Sequence, residues 1–118
     1  MTRIFHLTPA ATWAEAQRTG AYTADSLATE GFIHCSTVEQ VVWVANNRFR
    51  GRQDFVLLHI DSGRLSAPVK YENLEGGTEL FPHIYGPLNL DAVIDATPFQ
   101  PDVHGAFDHH QAALAFRS

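Results

Sequence analysis

The sequence predicts an α+β domain with a mostly antiparallel or mixed sheet and two helices in its N-terminal half. Three observations predict it. A chain of 118 residues fits one domain. Two stretches with apolar residues at helical spacing come early, and several short strand-like runs bounded by turn signals come late.

Arg3–Leu7 (Arg-Ile-Phe-His-Leu) is rich in strand formers and runs into Thr8-Pro9, a helix cap followed by a proline at the first helical position. The first helix is expected over about Pro9 to Thr19, with Ala10, Trp13, Ala14 and Gln17 recurring at helical spacing and Gly20 just past its end. A cap at Thr12, with Glu15 three residues on, would instead start it one turn later. Tyr22 to Glu30 is polar and turn-rich, and reads as a loop crossing the site with at most a helical turn at Ser26-Leu27.

In Phe32 to Ser36 the two-residue strand period puts Phe32, His34 and Ser36 on one face and Ile33 and Cys35 on the other. Ser36 and Glu39 form an S-x-x-E capping box, and Val38, Val41, Val42, Ala45 and Phe49 then follow one face of a second helix ending near Arg48. Phe55 to Ile60 is apolar on both faces, the pattern of a central strand, and Asp61-Ser62-Gly63 breaks it. Val69 to Glu72 alternates as a half-exposed strand does. Leu80 to Leu88 carries Pro82 and Pro87, so an edge strand or a loop over the sheet is expected there. Ala92 to Ala96 makes a last strand, ended by Pro98 and Pro101.

Composition narrows the function classes. With 45% apolar and 18% charged residues, the chain reads as an ordinary soluble globular protein. A net charge of −5 disfavours nucleic acid as a partner. The basic residues Arg48, Arg50 and Arg52 follow the second helix and complement its C-terminal dipole, with a phosphate contact as the alternative. A single cysteine, Cys35, and the lack of an apolar run after positive charge in the first thirty residues point to the cytoplasm. No stretch approaches the roughly 20 apolar residues that a membrane helix needs.

The junction Gly31-Phe32-Ile33-His34-Cys35-Ser36-Thr37 is where a site is expected, because unpaired N–H groups at a helix start favour an anionic or polar ligand. His6, His34 and His83 fall in or beside strands near turn signals. Each taken alone is more often a structural histidine than a functional one, but several converging can serve a site. Glu79 follows a Gly-Gly turn and precedes an aromatic run, where a carboxylate could steady a developing cation. His59, inside the most apolar strand, reads as structural, and Cys35 as a small buried residue rather than a nucleophile. Asp102 to His110 holds enough imidazole and carboxylate to take up a divalent metal opportunistically, yet it reads as a flexible tail, and no native metal site is expected.

Three motifs together resemble a family of small bacterial proteins of unknown function: Ile4-Phe5-His6-Leu7-Thr8, then Gly31 to Thr37, then Glu79-Leu80-Phe81-Pro82-His83-Ile84-Tyr85-Gly86-Pro87-Leu88. The resemblance covers about residues 3 to 97. That family is grouped by fold with the ADP-ribosylation proteins, which implies a split-sheet α+β architecture. By similarity to the polymerase branch of that group, His6 would bond a nicotinamide ribose, the Phe32 to Ser36 strand would wall a nicotinamide slot, and Glu79 would stabilise an oxocarbenium-like transition state. Leu7 stands where the analogous motif has glycine. No tyrosine occupies Gly31 to Cys35, leaving Phe32, Tyr22 or Tyr85 to supply the stacking ring.

The resulting expectation is an α+β domain over residues 1–101 and a His-rich tail over 102–118. Its cleft places His6, His34 and Glu79 in catalytic roles and Thr8, Phe32, Ser36, Thr37, His83 and Tyr85 in ligand binding. The ligand is a small molecule: NAD or a related nucleotide, whose ADP-ribosyl group would be transferred or hydrolysed, with NAD as substrate. One alternative is a binding module for a small anionic metabolite or peptide terminus. Another is an interaction protein, which requires a contiguous apolar surface away from the cleft.

Overall fold

A computed structural model describes residues 2–73 and 77–108. Strand β1 (Arg3–Pro9) pairs antiparallel with β4 (Phe55–Asp61), which pairs on its other side with β8 (Val93–Pro98). β4 is thus the middle strand, as its two-sided apolar run requires. One face of this sheet packs Ile4, Leu58 and Ile60 against Ala16 and Trp13 of α1 (Ala10–Thr19). The other packs Phe5 and Leu57 against Val41, Val42 and Ala45 of α3 (Val38–Arg48), closed by Phe99 and Phe107.

α1 ends at Gly20, whose φ of 95° places it in the left-handed region where glycine carries no steric penalty. Beyond it lie β2 (Ala21–Tyr22), paired with β7 (Leu88–Asn89), and α2 (Asp25–Glu30). The stretch expected to be loop therefore holds a strand and a six-residue helix, giving three α-helices among the described residues where two were expected. Asp25 sits in the first turn of α2, where its charge complements the helix dipole, and Gly31 closes a helix too short to show an apolar period.

The third sheet is antiparallel in the order β3-β6-β5, formed by β3 (Ile33–His34), β6 (Phe81–Ile84) and β5 (Val69–Glu72). Here β6 is the middle strand, not the edge strand or loop that its prolines suggested. The Pro82 carbonyl accepts from Cys35 N–H at 3.0 Å, so its donor-less nitrogen lies on the β3 side, where that ladder stops at the His34–His83 pair. Pro82 thus removes no bond from the β5 ladder. β3 is correspondingly short: past Cys35 the chain leaves β6, and Ser36 exchanges two 2.8 Å backbone bonds with Phe5, tying the third sheet to the first.

That bridge holds Ser36 extended and moves the start of α3. Thr37, not Ser36, is the N-cap, and its partner is Gln40 in place of Glu39. Gln40 Oε1 accepts from the Thr37 N–H at 3.0 Å while its amide donates to the Leu80 carbonyl at 2.8 Å. Within residues 102–108, Phe107 belongs to the packed body. Phe107 stacks on Phe99 at 5.1 Å and is clamped at both backbone groups by Asn46 of α3. The remainder of the expected tail, 109–118, lies outside the described residues.

Gly86 lies where two segments touch. A Cβ built there would be 2.7 Å from the Ala67 Cβ, so Gly86→Ala must push the chains apart. An overpacking cost of about 1–3 kcal/mol is expected, read as a lowered urea midpoint with unchanged slope. An unchanged midpoint would show that the contact relaxes freely.

Candidate functional site

The β3-β6-β5 sheet has two chemically distinct faces. Ile33, Cys35, Ile84 and Val69 point into the core. By strand alternation the other face gathers Phe32 and His34, then Phe81, His83 and Tyr85, then Lys70 and Glu72. Lys70, His83 and His34 lie in one cross-strand row. Phe32 stacks on His83 with ring centroids 4.3 Å apart, meets His34 edge-on at 4.9 Å and leans on Tyr85 at 5.3 Å.

Two histidine–carboxylate pairs sit on this face. His83 Nδ1 donates to Glu72 Oε1 at 3.1 Å, and the Tyr85 hydroxyl donates to the same oxygen. The Tyr85 bond, then the His83 bond, hold the Glu72 carboxyl below its usual range, and the same bond raises the Tyr85 phenol. Across from it, with ring centroids 5.4 Å apart, His34 Nε2 donates to Glu30 Oε2 at 2.9 Å, which lowers the Glu30 carboxyl. Both carboxylates are ionised near neutrality. His83 Nε2 has no hydrogen-bond partner among the described residues and is not sealed off, so it can accept from a ligand or a water in the cleft.

His6 is bound differently. Its Nδ1 lies 2.6 Å from the His34 carbonyl, which can only accept, so Nδ1 carries the proton. Burial pulls this ring down to about 4, so it is neutral and Nε2 accepts from the Tyr22 hydroxyl at 2.7 Å. Thr8 Oγ1, 2.9 Å from that hydroxyl, completes the chain of protons. Both ring nitrogens of His6 are therefore used inside the protein. The residue fixes the end of β3 and has no nitrogen to offer a ligand.

A cavity of about 320 Å³ opens between this face, α3 and α2. Of the expected site residues, His6, Phe32, His34, Ser36 and His83 line it. Thr8, Thr37 and Tyr85 do not: Thr8 bonds Tyr22, Thr37 caps α3, and the Tyr85 hydroxyl donates to Glu72. Glu79 is exposed on the connection before β6 and is not among the lining residues. The carboxylates that line the cavity are Glu72 and Glu30, and the sequence did carry a signal for each. Glu72 ends an alternating strand, and Glu30 stands four residues before His34. The other wall comes from the α3 side, with Trp43, Val44, Arg48 and Phe49. Cys35 borders the cavity too, but burial pushes its thiol far up, which leaves it protonated. Among the described residues no three His, Cys, Asp or Glu side chains are grouped to hold a metal ion.

Fold and site together define a small α+β protein with antiparallel sheets and a cleft built from paired imidazoles and carboxylates on an aromatic floor. Residues 7–96 match the model of a family described as protein of unknown function (DUF952), and the chain belongs to that family. It is similar to protein CC0527 from Caulobacter crescentus. The crystal structure of that protein superimposes with a TM-score of 0.83 at 32% identity, covering 94% of this chain and 99% of that one. Its solution NMR structure gives 0.77 at 33% identity, over 89% and 90% of the two chains. No curated protein matches the chain.

Proposed function

We propose that the cleft binds NAD or a related nucleotide, that the architecture is of the ADP-ribosylation-like type, and that the site transfers or hydrolyses the ADP-ribosyl group. The observation that carries this reading is an ionised carboxylate, Glu72, beside an aromatic slot and a histidine with an open nitrogen. The meeting of two antiparallel sheets at the Phe5–Ser36 bridge supports the split-sheet assignment. A cavity of about 320 Å³ is at the small end of ligand sites. One nucleoside half would enter it, and the rest would lie along its open side.

In this reading the bond between the ribose C1′ and the nicotinamide nitrogen breaks, with both electrons going to the ring, which leaves neutral. Positive charge develops at C1′ and the ring oxygen, where Glu72 stabilises it. Water then adds to C1′ and gives its proton to His83 Nε2, whose Nδ1–H stays on Glu72. Glu72 takes the role that chain order alone gave to Glu79. Cytoplasmic residence belongs to the same proposal, and the lone buried free thiol, Cys35, is compatible with it. Among the described residues no helix is long and apolar enough to cross a membrane.

The test is nicotinamide release from NAD. Wild type should exceed background, and Glu72→Gln, which keeps the hydrogen-bond acceptors, should release at least tenfold less, about 1.4 kcal/mol of lost transition-state stabilisation. Equal background release by both proteins would remove the enzymatic reading. A non-catalytic module for a small metabolite would then remain, a reading favoured by the internal use of both His6 nitrogens.

A further inference from the structure

We infer that the part of the ligand seated in this cleft is an organic cation whose charge is spread over a ring or covered by methyl groups, a pyridinium or a trimethylammonium. The inference rests on the cleft being the ligand site, as proposed above, but not on the ligand being a nucleotide. Five phenylalanine and tryptophan rings, Phe5, Phe32, Trp43, Phe49 and Phe81, line the cavity together with two carboxylates, Glu30 and Glu72. Trp43 is 54% exposed although a large apolar ring is costly to leave in water, and it stands 6.4 Å from Phe81, so π surface is open to an occupant.

Ring faces carry the negative end of an aromatic quadrupole and attract a cation, most strongly one that gives up little hydration to reach them. Each of the two imidazoles is bonded to one of these carboxylates, His34 to Glu30 at 2.9 Å and His83 to Glu72 at 3.1 Å. Arg48 is the lining cation among the described residues, and its field falls on Glu30. Lys70, which also acts on Glu72, lies over the Tyr85 ring at 4.8 Å and does not line the cavity.

Other occupants fit this wall poorly. A small anion would face both carboxylates. A divalent metal ion demands several oxygen or nitrogen ligands around one point, which the described residues do not group. A primary ammonium is compact and strongly hydrated, and an aromatic wall does not replace that water. A delocalised or methylated cation meets both requirements of the wall, apolar contact and opposite charge.

The experiment titrates matched pairs into the full chain at pH 8, where imidazoles are ordinarily neutral, following side-chain NMR signals of Trp43, His34 and His83. The pairs are N1-methylnicotinamide against nicotinamide, tetramethylammonium against tert-butanol, and oxidised against reduced NAD. Each cationic member should bind at least tenfold more tightly than its neutral partner. That preference should fall at least fivefold in Glu30→Gln/Glu72→Gln, which keeps side-chain volume and hydrogen-bond acceptors. Equal binding within the pairs, or a preference unchanged in the double variant, overturns the inference. Equal binding of oxidised and reduced NAD overturns it while leaving the nucleotide reading intact. Tight tetramethylammonium binding with neither dinucleotide binding upholds it and removes the nucleotide reading. The stronger of the first two pairs identifies which cation is the native source.

Discussion

Phe32→Ala is expected to cost about 3 kcal/mol of stability, the lower end of the range for a buried phenylalanine, because one side of the ring borders the cavity and not the core. The ring is the hub of the site, touching His83, His34 and Tyr85. Its loss removes the floor on which both imidazoles are set, so ligand binding should disappear along with the stability. Urea unfolding measures the first effect. Phe32→Leu separates the two: it keeps most of the buried volume, so the midpoint should fall by less than half as much, while the loss of an aromatic face should still weaken a stacked or cationic ligand about tenfold. A Phe32→Leu protein that binds as wild type does would show that the ring is only structural.

Acidification should destabilise the protein through His6. The ring's ordinary value is near 6.5 and burial pulls it down to about 4 in the folded protein. Above 6.5 it is neutral in both states, and the His34–His6–Tyr22–Thr8 chain contributes in full. Between 6.5 and 4 the unfolded chain takes up a proton that the folded one refuses, so stability falls by about 1.4 kcal/mol per pH unit. The loss reaches about 3 kcal/mol at pH 4 and levels off below it. His59, lowered by burial, acts in the same direction. Glu30 and Glu72 are lowered carboxylates, whose contribution is present above their ordinary range and is lost only as pH falls through their folded values. Urea unfolding from pH 7 to pH 4 should therefore show a steep decline that becomes markedly shallower in His6→Gln. Parallel curves for the two proteins would contradict the assignment of His6 as a buried neutral ring.

Much of the architecture was legible because it rests on local periodicity. The two-sided apolar run at Phe55 to Ile60 marks the central strand, and the two-residue period sets Phe32 and His34 on the face opposite Ile33, while Cys35 borders the cavity as well as the core. The misreadings share a cause, which is that long-range pairing decides them. Pro82 is tolerated in a middle strand because the β3 ladder stops beside it, a fact held by residues some fifty positions away. Ser36 has good capping chemistry, but Phe5 claims its backbone, so Thr37 caps instead. Glu79 sits in a suggestive place along the chain, yet the register that pairs Lys70 with His83 and Glu72 with Phe81 brings Glu72 to the imidazole. Trp43 and Arg48 read as parts of an ordinary helix, and only the packing of α3 across from the third sheet makes them a wall of the cleft.

The proposed ligand site is the non-core face of the β3-β6-β5 sheet. Backbone and side-chain chemical-shift mapping during an NAD titration tests it most directly. Perturbations should concentrate at Glu30, Phe32, His34, Trp43, Glu72, Phe81 and His83, and should be reduced throughout in Phe32→Leu. Saturable perturbations confined to another surface, with these seven residues unmoved, would contradict it.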